Sequence, residues 1–140
     1  MDETARRQVS YYRRVFFELA EVLEREGKTD MLRTLLNKYE EVIPLEMDPL
    51  FATNPLVKYY LSANEVDKAS KLTEWLCEQY KKEADYYVVL MRNKFNVNQL
   101  LPRPLSGLND LRNIVSQKQN NELLQKVDSV WKQYSFLTGE

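Results

Sequence analysis

Val9, Tyr12, Phe16, Leu19, Ala20 and Leu23 recur at steps of three and four, the spacing that lines side chains along one stripe of an α-helix. The same period returns in Leu32, Leu35, Leu36, Tyr39, Val42 and Ile43, then in Leu56, Val57, Tyr60 and Leu61, and again in Ala69, Leu72, Leu76 and Tyr80. Near the end Leu108, Leu111, Ile114 and Val115 make one stripe, and Leu123, Val127, Val130, Trp131 and Tyr134 another. With only three glycines in 140 residues there is little to form the tight turns of a strand-rich fold. The pattern predicts an all-α chain of six or seven helices in antiparallel hairpins.

Helix ends are written in the punctuation. Gly27 follows the first stripe, where a helix commonly closes on a left-handed residue that glycine adopts without a Cβ clash. Thr29 or Asp30 can cap the next helix, and Pro44 ends it. Residues 44–54 contain two prolines and no helical period, which predicts a loop with Leu45, Met47 and Phe51 packed beneath it. Asn54 then caps a helix that starts at Pro55 and ends near Asn64. No Gly or Pro falls between residues 65 and 101, so periodicity permits one long helix; the reading preferred is a break near Lys81-Lys82-Glu83, with a separate helix over 84–95. Residues 96–106, with Pro102 and Pro104, read as a second loop. The expected organisation is one domain over 1–140: a hairpin at 4–43, a hairpin at 55–80, a helix at 84–95 and a C-terminal hairpin at 106–137.

"GKTDML" at 27–32 and "NEVDKA" at 64–69 set one hairpin turn on another. Placing Gly27 on Asn64, an offset of 37 residues (64 − 27), brings Asp30 onto Asp67, Leu32 onto Ala69, Leu35 onto Leu72 and Tyr39 onto Leu76. Units that each show one apolar face bury it by stacking on their neighbours, which argues for a repeat array. The first unit resembles a tetratricopeptide repeat, with Leu19-Ala20 at the family's Leu-Gly pair, Gly27 and Leu32 at its hairpin glycine and alanine, and Pro44 at its closing proline. The second unit departs from it: Val57 replaces the small residue, Asn64 the glycine and Lys81 the proline, and the spacing exceeds the family's ~34 residues. The resemblance implies a tetratricopeptide-like right-handed array, with partner contacts on the inner face of each first helix, at Arg14, Phe17, Glu21 and Lys58. The chaperone-tail mode, a clamp on a terminal carboxylate, is not expected, since Phe17 and Glu21 occupy two clamp positions.

A resemblance over more of the chain is to the soluble C-terminal tail of a bacterial family of polytopic membrane proteins of unknown function with glycosyltransferase-like membrane regions. It is carried by "LAEVLEREGKTDMLRTLLNKYEEVIP" at 19–44, by a tyrosine pair like Tyr86-Tyr87, and by a final helical pair like that of 108–134. It implies a domain of an inner-membrane protein on the periplasmic side, whose partner is a protein or peptide, including the membrane region of its own parent. The native product is then expected to be longer, with transmembrane helices ahead of Asp2. A free-standing adaptor for a peptide is the alternative.

Composition narrows the function classes. Twenty Lys and Arg against 21 Asp and Glu leave a net charge of −1, so no global field draws the chain to nucleic acid. The longest uncharged run, nine residues at 49–57, is far below the ~20 needed to span a bilayer, so no direct membrane insertion is expected. There is no histidine, the commonest metal ligand and general base, and no phosphate loop, metal-ligand spacing or nucleophile elbow. No cofactor, metal or catalytic residue is expected; the enzyme alternative, a carboxylate-driven hydrolase, needs two acids in one cleft. Glu40-Glu41 does not supply them, because neighbours on a helix diverge. Cys77, the single cysteine, lacks a base beside it and reads as a packed small side chain.

Arg6, Arg7, Arg13 and Arg14 could meet lipid headgroups or a partner's carboxylates, but interspersed acids favour a solvated helix face. Tyr11-Tyr12, Tyr59-Tyr60 and Tyr86-Tyr87 offer stacking platforms. Since helix neighbours point about 100° apart, at most one of each pair is expected in the core. Trp75 and Trp131 read as packing between helices.

Overall fold

A computed structural model describes residues 3–43, 50–93 and 102–134. The fold is all-α, with no strand among the described residues. Six helices follow in order: α1 (Glu3–Arg25), α2 (Thr29–Val42), α3 (Leu50–Ser62), α4 (Val66–Arg92), α5 (Pro102–Gln117) and α6 (Asn121–Tyr134).

One turn joins α1 to α2, α3 to α4 and α5 to α6. Gly27 (φ 69°), Asn64 (φ 59°) and Gln119 (φ 57°) all take the left-handed conformation. In each case the left-handed residue donates its N–H three residues back (Gly27 to Glu24, Asn64 to Leu61, Gln119 to Ser116). The following residue donates five back (Lys28 to Leu23, Glu65 to Tyr60, Asn120 to Val115), at 2.8–3.2 Å throughout. This is the Schellman arrangement, which satisfies carbonyls the ending helix leaves unpaired. The next helix then opens on the same residue, as Lys28, Glu65 and Asn120 accept its first backbone bond. The sequence repeat, read as two copies, is three copies at the level of the turn.

Several element boundaries differ from expectation. The break near residues 81–83 does not occur, and α4 runs unbroken to Arg92, taking in residues 84–92 of the separate helix expected at 84–95; the described helices number six. Lys81, Lys82 and Glu83 are good helix formers on the solvent side, and ion pairs from Lys81 to Asp85 (3.0 Å) and Lys82 to Glu78 (3.4 Å) bind successive turns. The buried stripe continues beneath them from Leu76 through Tyr80 to Ala84. Helix α3 begins at Leu50 rather than Pro55, so Asn54 is not a cap but a fully buried residue inside the helix, and Pro55 removes one interior N–H. Helix α5 likewise begins at Pro102 rather than at 106. The remaining loop residues, 44–49 with Leu45 and Met47 and 96–101, lie outside the described residues, as do residues 94–95 at the end of the expected helix, the Phe51 side chain and the end of the last hairpin beyond Tyr134.

The chain divides within α4 into two compact units, 1–69 and 70–140. In the first, α3 lies against both α1 and α2. Its core joins Ala20, Leu23, Leu32, Leu36, Tyr39 and Ile43 to Leu56, Val57 and Ala63. Because α3 has partners on two sides, both Tyr59 and Tyr60 are buried, contrary to the one-per-pair expectation. Tyr59 donates its hydroxyl to Glu21 of α1 at 2.8 Å, and Tyr60 donates to Glu40 of α2. Arg33 of α2 completes the union, donating to the Ala63 carbonyl (2.8 Å) at the end of α3 and pairing with Glu65 (3.0 Å). Tyr12 and Leu19 of the α1 stripe remain exposed beside Val15 and Val22, since α1 is covered only where α2 and α3 reach it.

The second unit is built on the α5/α6 hairpin. Ala84, Leu105 and Tyr134 pack together, with Tyr87, Val130 and Trp131 against them. Arg112 clasps the hairpin through Asp128 at 2.6 Å and lies over the Trp131 ring at 5.1 Å. Lys126 of α6 reaches Glu74 (2.7 Å) and Ser70 (3.1 Å), and Tyr134 donates to Asp85, which also pairs with Lys81. Gly107 lets α5 come down onto the buried Tyr80 ring, since a Cβ there would lie 2.6 Å from its Cζ.

Candidate functional site

The side of α1 that faces α3 carries Arg14, Phe17, Glu18, Glu21, Val22 and Arg25, whose spacing puts them on one helix face. With Arg13 of α1 and Ala52 and Pro55 of α3 they line an open groove of about 740 Å³. Three of the four contact residues expected from sequence, Arg14, Phe17 and Glu21, meet in this groove.

Phe17 forms its floor. The ring is half-buried, stacked on Tyr39 (5.7 Å between centroids) and tilted against Tyr59 (5.8 Å), while Phe16 meets Tyr39 edge-on at 5.5 Å. These aromatic contacts are each worth roughly 0.5–1.5 kcal/mol beyond area burial, so Phe17 is held by the core it covers. Lys58, the fourth expected residue, does not line the groove; it lies behind Glu21, pairing with it at 3.2 Å and with Glu24 at 3.5 Å. The Tyr59 hydroxyl first, and the Lys58 ammonium second, hold the Glu21 carboxyl below the usual carboxylate range. Burial, and then the carboxylate it serves, push the Tyr59 phenol up, which keeps it a donor. Glu21 is therefore an ionised group whose close partners lie within the protein, although it shares the Lys58 ammonium with Glu24 and its charge also reaches Arg25.

Arg14 and Arg25 stand at the two ends of the lining. Arg14 lies over the Tyr11 ring at 5.6 Å and Arg25 favours the Glu21 carboxylate through space, but neither arginine has an ion-pair partner within hydrogen-bonding reach among the described residues. Arg13 and Arg14 also border an adjoining hollow of about 550 Å³ shared with Arg6, Arg7, Ser10 and Tyr11, where Arg7 pairs with Glu3 at 2.8 Å. Glu18, Val22 and Arg25 were legible as the continuation of the Arg14 face by steps of four, four and three. Ala52 was not, because the first turn of α3 was read as a loop, and Pro55 was read only as the start of the third helix.

The other sequence candidates separate. Tyr11 and Tyr12 are both exposed, as is Tyr86, while Tyr87 is half-buried. Trp75 and Trp131 are half-buried. Glu40 accepts from Tyr60 and pairs with Lys68 (3.3 Å), whereas Glu41 pairs with Lys38 (3.3 Å), so the two carboxylates point to different partners. Cys77 is buried, and its thiol is pushed up to about 11 by desolvation and then by Glu74. Among the described residues no group of three or more His, Cys, Asp or Glu is placed to hold a metal, and no helix is long and apolar enough to cross a membrane. Comparison with protein families, with curated proteins and with solved structures finds no match for this chain.

Proposed function

We propose that this chain is a non-catalytic interaction module that holds an extended peptide segment of a partner in the groove between α1 and α3. The observation that carries the reading is the groove itself. An apolar floor of Phe17, Val22, Ala52 and Pro55 is flanked by Arg14 and Arg25, which make no ion pair among the described residues, the mixture of burial and orientation that peptide recognition uses. The packing of α3 on both α1 and α2 and the recurring Schellman turn support a tetratricopeptide-like array, in which such a groove is the inner face. The similarity over residues 19–44 supports a setting as the tail of a larger membrane protein linked to glycan or protein glycosylation, on its periplasmic side. Reading the genomic frame upstream of Asp2 tests that setting.

Selection from a random peptide display library tests the binding role. Peptides enriched on the wild-type chain should lose binding to Ala52→Trp, which fills the groove from its α3 wall, while the circular dichroism spectrum is kept. Enrichment that is indifferent to Ala52→Trp would remove the groove as the binding site. Turnover of a model glycoside or phosphoester, lost on substituting a pair of acids, would favour the hydrolase reading instead.

A further inference from the structure

We infer that the groove selects an acidic peptide: an extended segment with carboxylates four or six residues apart, seated on Arg14 and Arg25, and with apolar side chains between them over Phe17 and Val22. The inference rests on the peptide-binding reading above and adds the chemistry of the ligand.

Arg14 and Arg25 are eleven positions apart, which is about 16 Å along α1 at 1.5 Å per residue and brings both to the same face. An extended chain rises about 3.3 Å per residue and alternates its faces, so residues four or six positions apart share a face and span that distance once the reach of the side chains is included. Each guanidinium presents a planar fork of donors matched to a carboxylate. Between them the groove offers Phe17 and Val22. Glu18 stands in the same stretch, repelling a carboxylate placed midway and able to accept a backbone N–H from the ligand. Glu21 has the Lys58 ammonium and the Tyr59 hydroxyl as its close partners and acts on Arg25 only through space, so the forks of Arg14 and Arg25 stay open to a ligand.

A bilayer surface would also offer anionic groups, but a flat array of headgroups does not enter a recess between two helices. The net charge of −1 gives the chain no long-range attraction to such a surface. Recognition here depends on the spacing of two charges, and a peptide carries such a spacing.

The test uses fluorescence anisotropy with the end-blocked, labelled peptide Gly-Glu-Ala-Leu-Ala-Phe-Ala-Glu-Gly, whose Glu, Leu, Phe and Glu share one face when extended, and the same peptide with Gln for both Glu. The acidic peptide should bind about tenfold more tightly than its Gln counterpart, the size expected of two largely exposed ion pairs acting together. Raising the salt should shrink the difference. The double substitution Arg14→Ala with Arg25→Ala should abolish it, leaving both peptides bound as weakly as the Gln form. Equal binding of the two peptides by the wild-type chain would overturn the inference while leaving the groove a peptide site. Failure of both peptides, alone or with Arg14- and Arg25-dependent binding to phosphatidylserine vesicles, would also overturn it, and in the vesicle case it would assign the arginines to lipid.

Discussion

Replacing Gly107 by Ala should destabilise the protein even though alanine is the better helix former. Gly107 is inside α5, where the exchange would ordinarily gain about 1 kcal/mol. The added methyl, however, would lie 2.6 Å from Cζ and 2.7 Å from Oη of Tyr80, and closer still to Cε1, where unstrained contacts run about 3.5–4.0 Å. The Tyr80 ring is 1 % exposed and sits midway along the 27-residue α4, so it cannot swing into solvent. Either α5 lifts by about 1 Å or the ring leaves its rotamer, and with three Tyr80 atoms under 3 Å from the methyl the cost falls in the upper part of the range for overpacking, about 2–3 kcal/mol. The net expectation for Gly107→Ala is a loss of about 1–2 kcal/mol, read as a lower urea midpoint by far-ultraviolet circular dichroism with an unchanged slope. A double-mutant cycle isolates the cause. With Tyr80→Leu the ring is gone, so adding Gly107→Ala should become stabilising by about 1 kcal/mol. With Tyr80→Phe only Oη is removed, and the loss should persist. A Gly107→Ala variant as stable as the parent, or one equally damaging with and without the Tyr80 ring, would refute the reasoning.

Gln119 holds a left-handed conformation that costs a side-chain-bearing residue roughly 1–2 kcal/mol, so Gln119→Gly should raise stability by about 1 kcal/mol in thermal melts. Gly27→Ala should lower it by a similar amount although nothing lies within 4 Å of the new methyl. Glu21 is held below its ordinary value of 4.5, so its contribution to stability is complete above that value and is lost as pH falls through the lower folded-state value. Tyr59→Phe should return the Glu21 titration, followed by carboxyl NMR shifts, towards the ordinary value and flatten the acid limb of the stability curve. The Cys77 thiol, buried and pushed up to about 11, should react with a disulfide reagent at pH 8 only slowly in the folded chain and rapidly in urea; fast labelling of the native protein would contradict its placement.

Sequence by itself determined what depends on one or two turns of chain. Apolar steps of three and four fixed the helices, and Gly27 and Asn64 marked two turns because glycine and asparagine tolerate positive φ for local steric reasons. The face shared by Arg14, Phe17 and Glu21 was legible for the same reason, since helical geometry sets it before any partner arrives. Tertiary structure decided the rest. Gln119 adopts the third Schellman turn without the residue type that announces one, under the demand of packing α6 on α5. Helix α4 passes through Lys81-Lys82-Glu83 because the buried stripe from Leu76 to Ala84 continues beneath that polar run. Tyr59 and Tyr60 are both buried because α3 has neighbours on two sides, and the first of them, with Lys58, holds the Glu21 carboxylate in place beside Arg14 and Arg25 in the groove. Caps and periods are properties of neighbours in the chain, whereas burial and charge neutralisation come from residues such as Glu21 and Tyr59, 38 positions apart, that no local pattern joins.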